Sequence, residues 1–158
     1  MPPLPPELVG TLLKGQWKTS PDEADHARRS VYVFARRNLR YPIFDAFDRP
    51  DAGASCPCRN RSTTAIQSLH LLNSQFTYDA ARYTATNLLR TIRLDTEASE
   101  LVQTLFRLTL SRSAEPDELK LLVSFVGKPT DQTTAELHDK LMTTAVAIFN
   151  SNEFIYID

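Results

Sequence analysis

From residue 64 onward, apolar residues recur at three- and four-residue steps, a period that no stretch before it sustains. That is the helical period, and it predicts a mostly α body over residues 62–158. Thr64-Ala65-Ile66-Gln67 fits a capping box, in which the Thr hydroxyl accepts from the third amide and the Gln side chain reaches back to the cap. A helix over 65–73 follows, with Ile66, Leu69 and Leu72 inward and Asn73 as its terminator. A second helix over 76–89 carries Phe76, Ala80, Tyr83 and Asn87 on one side. Asp95 is a candidate N-cap for a third, whose broad apolar face is Leu101, Val102, Leu105, Phe106, Leu108 and Leu110. Pro116 suits the first turn of a fourth, with Leu119, Leu122, Phe125 and Val126 on its face and Gly127 and Pro129 as its stop. Thr130 is the expected cap of a fifth, which turns Leu137, Leu141, Met142, Ala145, Ile148 and Phe149 to one side and ends at Asn150-Ser151-Asn152. The last residues, 153–158, are apolar enough to dock on the body.

The lead into this body has a different texture. Met1 to Pro6 reads MPPLPP and favours a polyproline strap, followed by a short helix over 7–13 that Gly15 ends, with Trp17 as an apolar anchor. Ser30 to Ala35 is β-branched and aromatic and predicts a short strand, with an Arg-flanked helix as the alternative. Residues 41–61 hold three prolines and most of the turn formers and predict a long irregular loop. The expected architecture is therefore mainly α: about five helices in a compact bundle, preceded by a Pro/Arg-rich, loop-rich segment. We read it as one domain in three parts, namely 1–25, 26–61 packed on the same domain, and 62–158.

Composition narrows the class. The chain has 158 residues, 42% apolar and 23% charged, with ten Pro, four Gly and two Cys. Ordinary globular usage argues against disorder, collagen and disulfide-knot classes. No apolar run approaches the roughly 18 residues of a membrane span, and the N-terminus has no signal-peptide pattern. The net charge of −1 divides into −2 over residues 1–25, +5 over 26–61 and −4 over 62–158. All the basic charge of the middle segment is Arg, whose planar fork suits fixed ion pairs or an anion site. An acidic half beside a basic one can be satisfied within the molecule.

Candidate chemistry is sparse. Cys56-Pro57-Cys58 lacks the two-residue spacer of zinc and thioredoxin-like motifs and has no second pair, so Cys56 and Cys58 are weak metal candidates and no cofactor is expected. Asp45 and Asp48, three apart, are the candidate acid and base, against the plainer reading that they cap turns or pair with Arg. His26, His70 and His138 lie in unrelated contexts, and neither a nucleophile elbow nor a Gly-rich phosphate loop occurs. Arg interleaved with Tyr and Phe in RRSVYVFARRNLRYP resembles a base-stacking surface, but a pI near 6.3 disfavours nucleic acid.

Five segments in order carry a family resemblance: PPLPPE, RRSVYVFARRNLRYP, FDAFDRPD, SCPCRNRSTTAIQSLHLLNSQF and IFNSNEFIYID. The chain resembles the planctomycete-type domain of unknown function numbered 1553, the C-terminal domain of large exported multidomain proteins. The resemblance implies upstream partner domains, a c-type cytochrome region among them, and a periplasmic or cell-envelope location. Cys56 is the family-like thiol and Cys58 a departure. Thr64, Gln67 and Asn73 fall in the family motif but are explained as structural caps. Arg28, Arg29, Arg36 and Arg37 have no such explanation and, with Arg61, Asp45 and Asp48, are the candidate binding residues. The expected function is a non-catalytic scaffold or interaction domain. The alternatives are part of an enzyme acting on extracellular polysaccharide or a redox substrate, and weak nucleic-acid binding through the Arg/aromatic segment.

Overall fold

The structure is a computed structural model that describes residues 2–4, 6–10, 12–13, 15–33, 39, 41–50, 53, 55–58, 62, 64–91 and 96–156. The chain divides into two compact units, Met1–Thr63 and Thr64–Asp158.

In the first unit, helix α1 (Pro6–Val9) is a single turn, and Gly15 follows at φ +85, a conformation open to glycine. The proline lead is held by two aromatic donors. Trp17 Nε1 donates to the Pro2 carbonyl at 2.9 Å and the Tyr41 hydroxyl to that of Pro3 at 3.2 Å. The Trp17 and Tyr41 rings stack at 6.1 Å, and Tyr41 meets Phe44 at 5.3 Å. Partial burial pushes the Tyr41 hydroxyl pKa above its ordinary value. A 3-10 turn over Glu23–Ala27 is capped by Asp22, whose carboxylate accepts the Ala24 amide at 2.9 Å.

Two expectations are corrected here. Ser30–Tyr32 is a 3-10 turn where a strand was predicted, and no strand occurs among the described residues; Phe34 and Ala35 lie outside them. β-Branched and aromatic residues suit a strand only when a neighbouring strand covers them. Here Val31 is exposed, and the Tyr32 ring lies beneath the Arg28 guanidinium, 4.3 Å from its centroid. The stretch read as wholly irregular holds helix α2 (Pro42–Ala46), which starts at a proline and carries Asp45 in its first turn. Both features favour a helix start.

The second unit is helical: α3 (Ala65–Asn73), α4 (Gln75–Thr91), α5 (Ala98–Leu110), α6 (Pro116–Val126), α7 (Thr134–Phe149) and α8 (Asn152–Ile155). Helix α4 lies chiefly along α7, and α5 packs on α4, α6, α7 and α8. Ala81, Ala85 and Leu88 of α4, Leu101, Val102, Leu105 and Phe106 of α5, Val126 of α6 and Leu137, Leu141, Ala145, Ile148 and Phe149 of α7 form the core. The alanines let α4 and α7 approach closely. Thr86 Oγ1 and His138 Nε2 sit 3.1 Å apart between them.

Helix ends follow local chemistry. The box at α3 is formed, with the Gln67 amide donating to Thr64 Oγ1 at 3.3 Å and the Thr64 amide to Gln67 Oε1 at 3.2 Å. At α7 the cap is Thr133, not Thr130, which lies in a 3-10 turn over Pro129–Asp131. The reason is spacing: Glu136 stands three residues after Thr133, and its carboxylate accepts the Thr133 amide at 2.8 Å, whereas Thr133 occupies that position relative to Thr130. These bonds pull the Glu136 carboxyl below its ordinary pKa. Helix α6 ends at Gly127, φ +72, as expected. Asp95 lies outside the described residues, and α5 starts after Glu97. The C-terminal residues dock: Phe154 meets Phe149 at 4.7 Å, and the Tyr156 hydroxyl donates to Gln67 Oε1 at 3.4 Å.

Candidate functional site

In the first unit, Asp48 follows α2 at φ +54, a left-handed conformation that Asp tolerates better than most residues. Its Oδ2 accepts from both the backbone amide and the hydroxyl of Ser62, each at 2.7 Å. Thirteen residues lie between these partners, so the carboxylate joins two points well separated along the chain. Asp45 is exposed in α2. Asp48 thus ties together two points far apart in the chain, a longer-range bond than the turn caps and Arg pairs considered for it.

Of the candidate Arg residues, Arg36, Arg37 and Arg61 lie outside the described residues. Arg28 pairs with Asp25 at 3.2 Å as well as covering Tyr32, and Arg49 lies over the Phe44 ring at 5.8 Å. Arg29 is exposed at the start of the Ser30–Tyr32 turn. Of the candidates, Arg28 thus faces an aromatic ring within its own segment, as does its neighbour in that segment, Arg49.

Cys56 and Cys58 are exposed and joined in no disulfide, and the Cys56 thiol donates to the Cys58 carbonyl at 3.1 Å. Among the described residues, no three His, Cys, Asp or Glu side chains gather as a metal site. His26 Nε2 lies 2.8 Å from the Ser20 carbonyl oxygen.

In the second unit, the cap residues build helix ends. Thr64 and Gln67 close the box, and Asn73 Nδ2 donates to the Leu69 carbonyl at 3.0 Å. The inward side of α3 is not the predicted one. Gln67 is buried, while Ile66, Leu69 and Leu72 are 70%, 57% and 46% exposed. Helix α4 is turned the same way: Thr77, Ala81, Ala85 and Leu88 are buried, and Phe76 and Tyr83 are 63% and 69% exposed. Residues three apart share one side of a helix, and so do residues seven apart. Ile66, Leu69 and Leu72 therefore form one apolar stripe, and Phe76 and Tyr83 lie on one side of the helix that follows.

One charged cluster was not foreseen. Arg112, between α5 and α6, donates to Glu118 through Nη1 at 2.8 Å and Nη2 at 2.9 Å, and to Glu153 of α8 through Nε and Nη2, both at 2.6 Å. Its guanidinium lies over the Phe106 ring at 5.2 Å. The bonds from Arg112 pull Glu118 down to a pKa of about 2 and hold Glu153 below its ordinary value, while the two carboxylates raise that of Arg112. Glu118 stands three residues after Glu115, whose amide it accepts at 2.8 Å, and that spacing is a legible signal. Glu153 lies far away in sequence and carries none.

The described residues contain no helix long and apolar enough to cross a membrane. A family model described as "Protein of unknown function (DUF1553)" (PSD1) matches residues 2–126. No curated protein and no solved structure matches the chain.

Proposed function

The chain belongs to the DUF1553 family of proteins of unknown function, and on that footing we propose that it is a non-catalytic interaction domain whose second unit docks on another polypeptide through the outer sides of α3 and α4. The observation that carries this reading is the exposure of Ile66, Leu69, Phe76 and Tyr83 on two adjoining helices. Large apolar side chains grouped on a surface mark interaction sites, and aromatic anchors supply much of the energy at such interfaces. The bonding of Asp48 to Ser62 supports the same reading, because an acid or base needs lone pairs available to substrate.

The partner in this proposal is the region upstream of the equivalent domain in a longer family protein, and export to the periplasm or cell envelope is part of it. Titrating the labelled chain with that upstream region tests the reading. Saturable binding that Leu69→Ser and Phe76→Ser each weaken at least tenfold supports it. Equal binding by the variants, or none by the wild type, overturns it, as does sedimentation showing that these side chains only join two copies of the chain.

A further inference from the structure

The sequence holds two cysteines, both in the stretch between Asp48 and Ser62, which bond to each other. From this placement we infer that Cys56 and Cys58 form a thiol–disulfide redox site, which closes to an intramolecular disulfide by exchange with a small-molecule disulfide such as oxidised glutathione.

Three observations lead there. Both residues are exposed. The chain bends at Pro57 and Cys58, and a bend shortens the distance between residues two apart relative to extended chain. The Cys56 thiol already donates to the Cys58 carbonyl at 3.1 Å, so its sulfur lies over the backbone that carries the second thiol. Pro57 holds φ near one value, which limits how far the two sulfurs separate when that bond opens.

The exchange balances. The thiolate of Cys56 attacks one sulfur of the glutathione disulfide, forming a mixed disulfide and expelling one glutathione thiolate. Cys58, deprotonated, then attacks the Cys56 sulfur and expels the second. The protein dithiol is oxidised by two electrons, the disulfide is reduced to two thiols, and the two protons released end on the glutathione products.

The reduced full-length chain is equilibrated with reduced and oxidised glutathione, quenched with acid and read by intact mass and thiol count. A short connection between reacting groups gives an effective concentration of about 1 mM, so at about 0.1 mM reduced glutathione the closed ring should outnumber the mixed disulfide about tenfold. The expected product is a monomer that has lost two hydrogens and both titratable thiols, with its disulfide mapped to residues 56 and 58. Cys58→Ser should accumulate one bound glutathione, and Cys56→Ser should do the same. A wild-type chain that carries one or two glutathiones as its main species, or that cross-links into dimers, would overturn the inference. So would Cys58→Ser losing its thiol without gaining glutathione.

Discussion

Replacing Arg112 by Ala removes one side chain that joins three elements of the helical unit, so its effect follows from a short account. Four bonds of 2.6–2.9 Å to Glu118 and Glu153 disappear, together with the contact over Phe106. The Arg112 and Glu118 side chains are 31% and 36% exposed, so solvent screens the pair. Exposed pairs contribute about 0.2–1 kcal/mol. The two-bond geometry to Glu118 places that arm near the top of the range, and a cation over a ring at a partly exposed site adds about 0.5 kcal/mol. Arg112→Ala should therefore cost about 1.5 kcal/mol. At about 2–4 °C per kcal/mol for a chain of this length, the melting temperature followed by far-ultraviolet circular dichroism at pH 7 should fall about 3–6 °C. The pH dependence has a definite sign. Glu118 is held at about 2 in the folded chain, below its ordinary 4.5, so its contribution is full above pH 4.5 and is lost as the pH falls toward 2. The gap between wild type and variant should be flat from pH 5 to neutrality and shrink below. Arg112→Lys should recover only part of it, because an ammonium cannot present the planar fork. An unchanged melting temperature at pH 7, or a gap that stays as large near pH 2, would refute the reasoning.

Two further outcomes test the core and the corrected cap. Leu141 is fully buried in α7, so Leu141→Ala should lower unfolding stability by about 3 kcal/mol, seen in urea as a lower midpoint at constant slope. Thr133→Ala should cost about 1 kcal/mol and speed amide exchange in the first turn of α7. Thr130→Ala should stay within about 0.5 kcal/mol, and the reverse ranking would show that the helix starts where the apolar pattern alone suggested.

The helices were legible because their signals are local. The box at Thr64, the proline at 116 and the glycine at 127 each act within one turn, and the structure places helix ends at all of them. The cap of α7 was misplaced by three residues because Thr130 and Thr133 both qualify as caps and only the glutamate three residues later separates them. Tertiary partners left no comparable trace. Val31 and Tyr32 have strand-forming side chains, but strand pairing is a property of two segments, and the local 3-10 turn prevailed where none is described. Glu153 is bound to Arg112 through the return of the chain at α8, which no spacing in either segment encodes. Of the candidate site, a turn cap or an Arg pair was the plain reading of Asp48, and its long-range bond to Ser62 carried no local signal.

The most informative discrepancy is at α3 and α4. A helical apolar period states that one side prefers to leave water, not what it will meet. Applied to Ile66, Leu69 and Leu72, the period predicted an inward stripe, yet the helix buries Gln67 instead, bonded through its side chain to the Thr64 amide and the Tyr156 hydroxyl. A buried amide with its oxygen satisfied costs little, so α3 can afford to point its polar cap inward. In α4 the buried side is Thr77, Ala81, Ala85 and Leu88, residues mostly small enough for close packing on α7, and Phe76 and Tyr83 are too bulky for that contact. Two adjoining helices thus both turn their smaller or polar residues to the core and their larger apolar residues outward. Packing within the second unit accounts for the inner sides; the outer sides retain an apolar pattern that this packing does not use. A binding partner would use it, and this makes the rotation of α3 and α4 an argument for docking as well as a correction to the expected core.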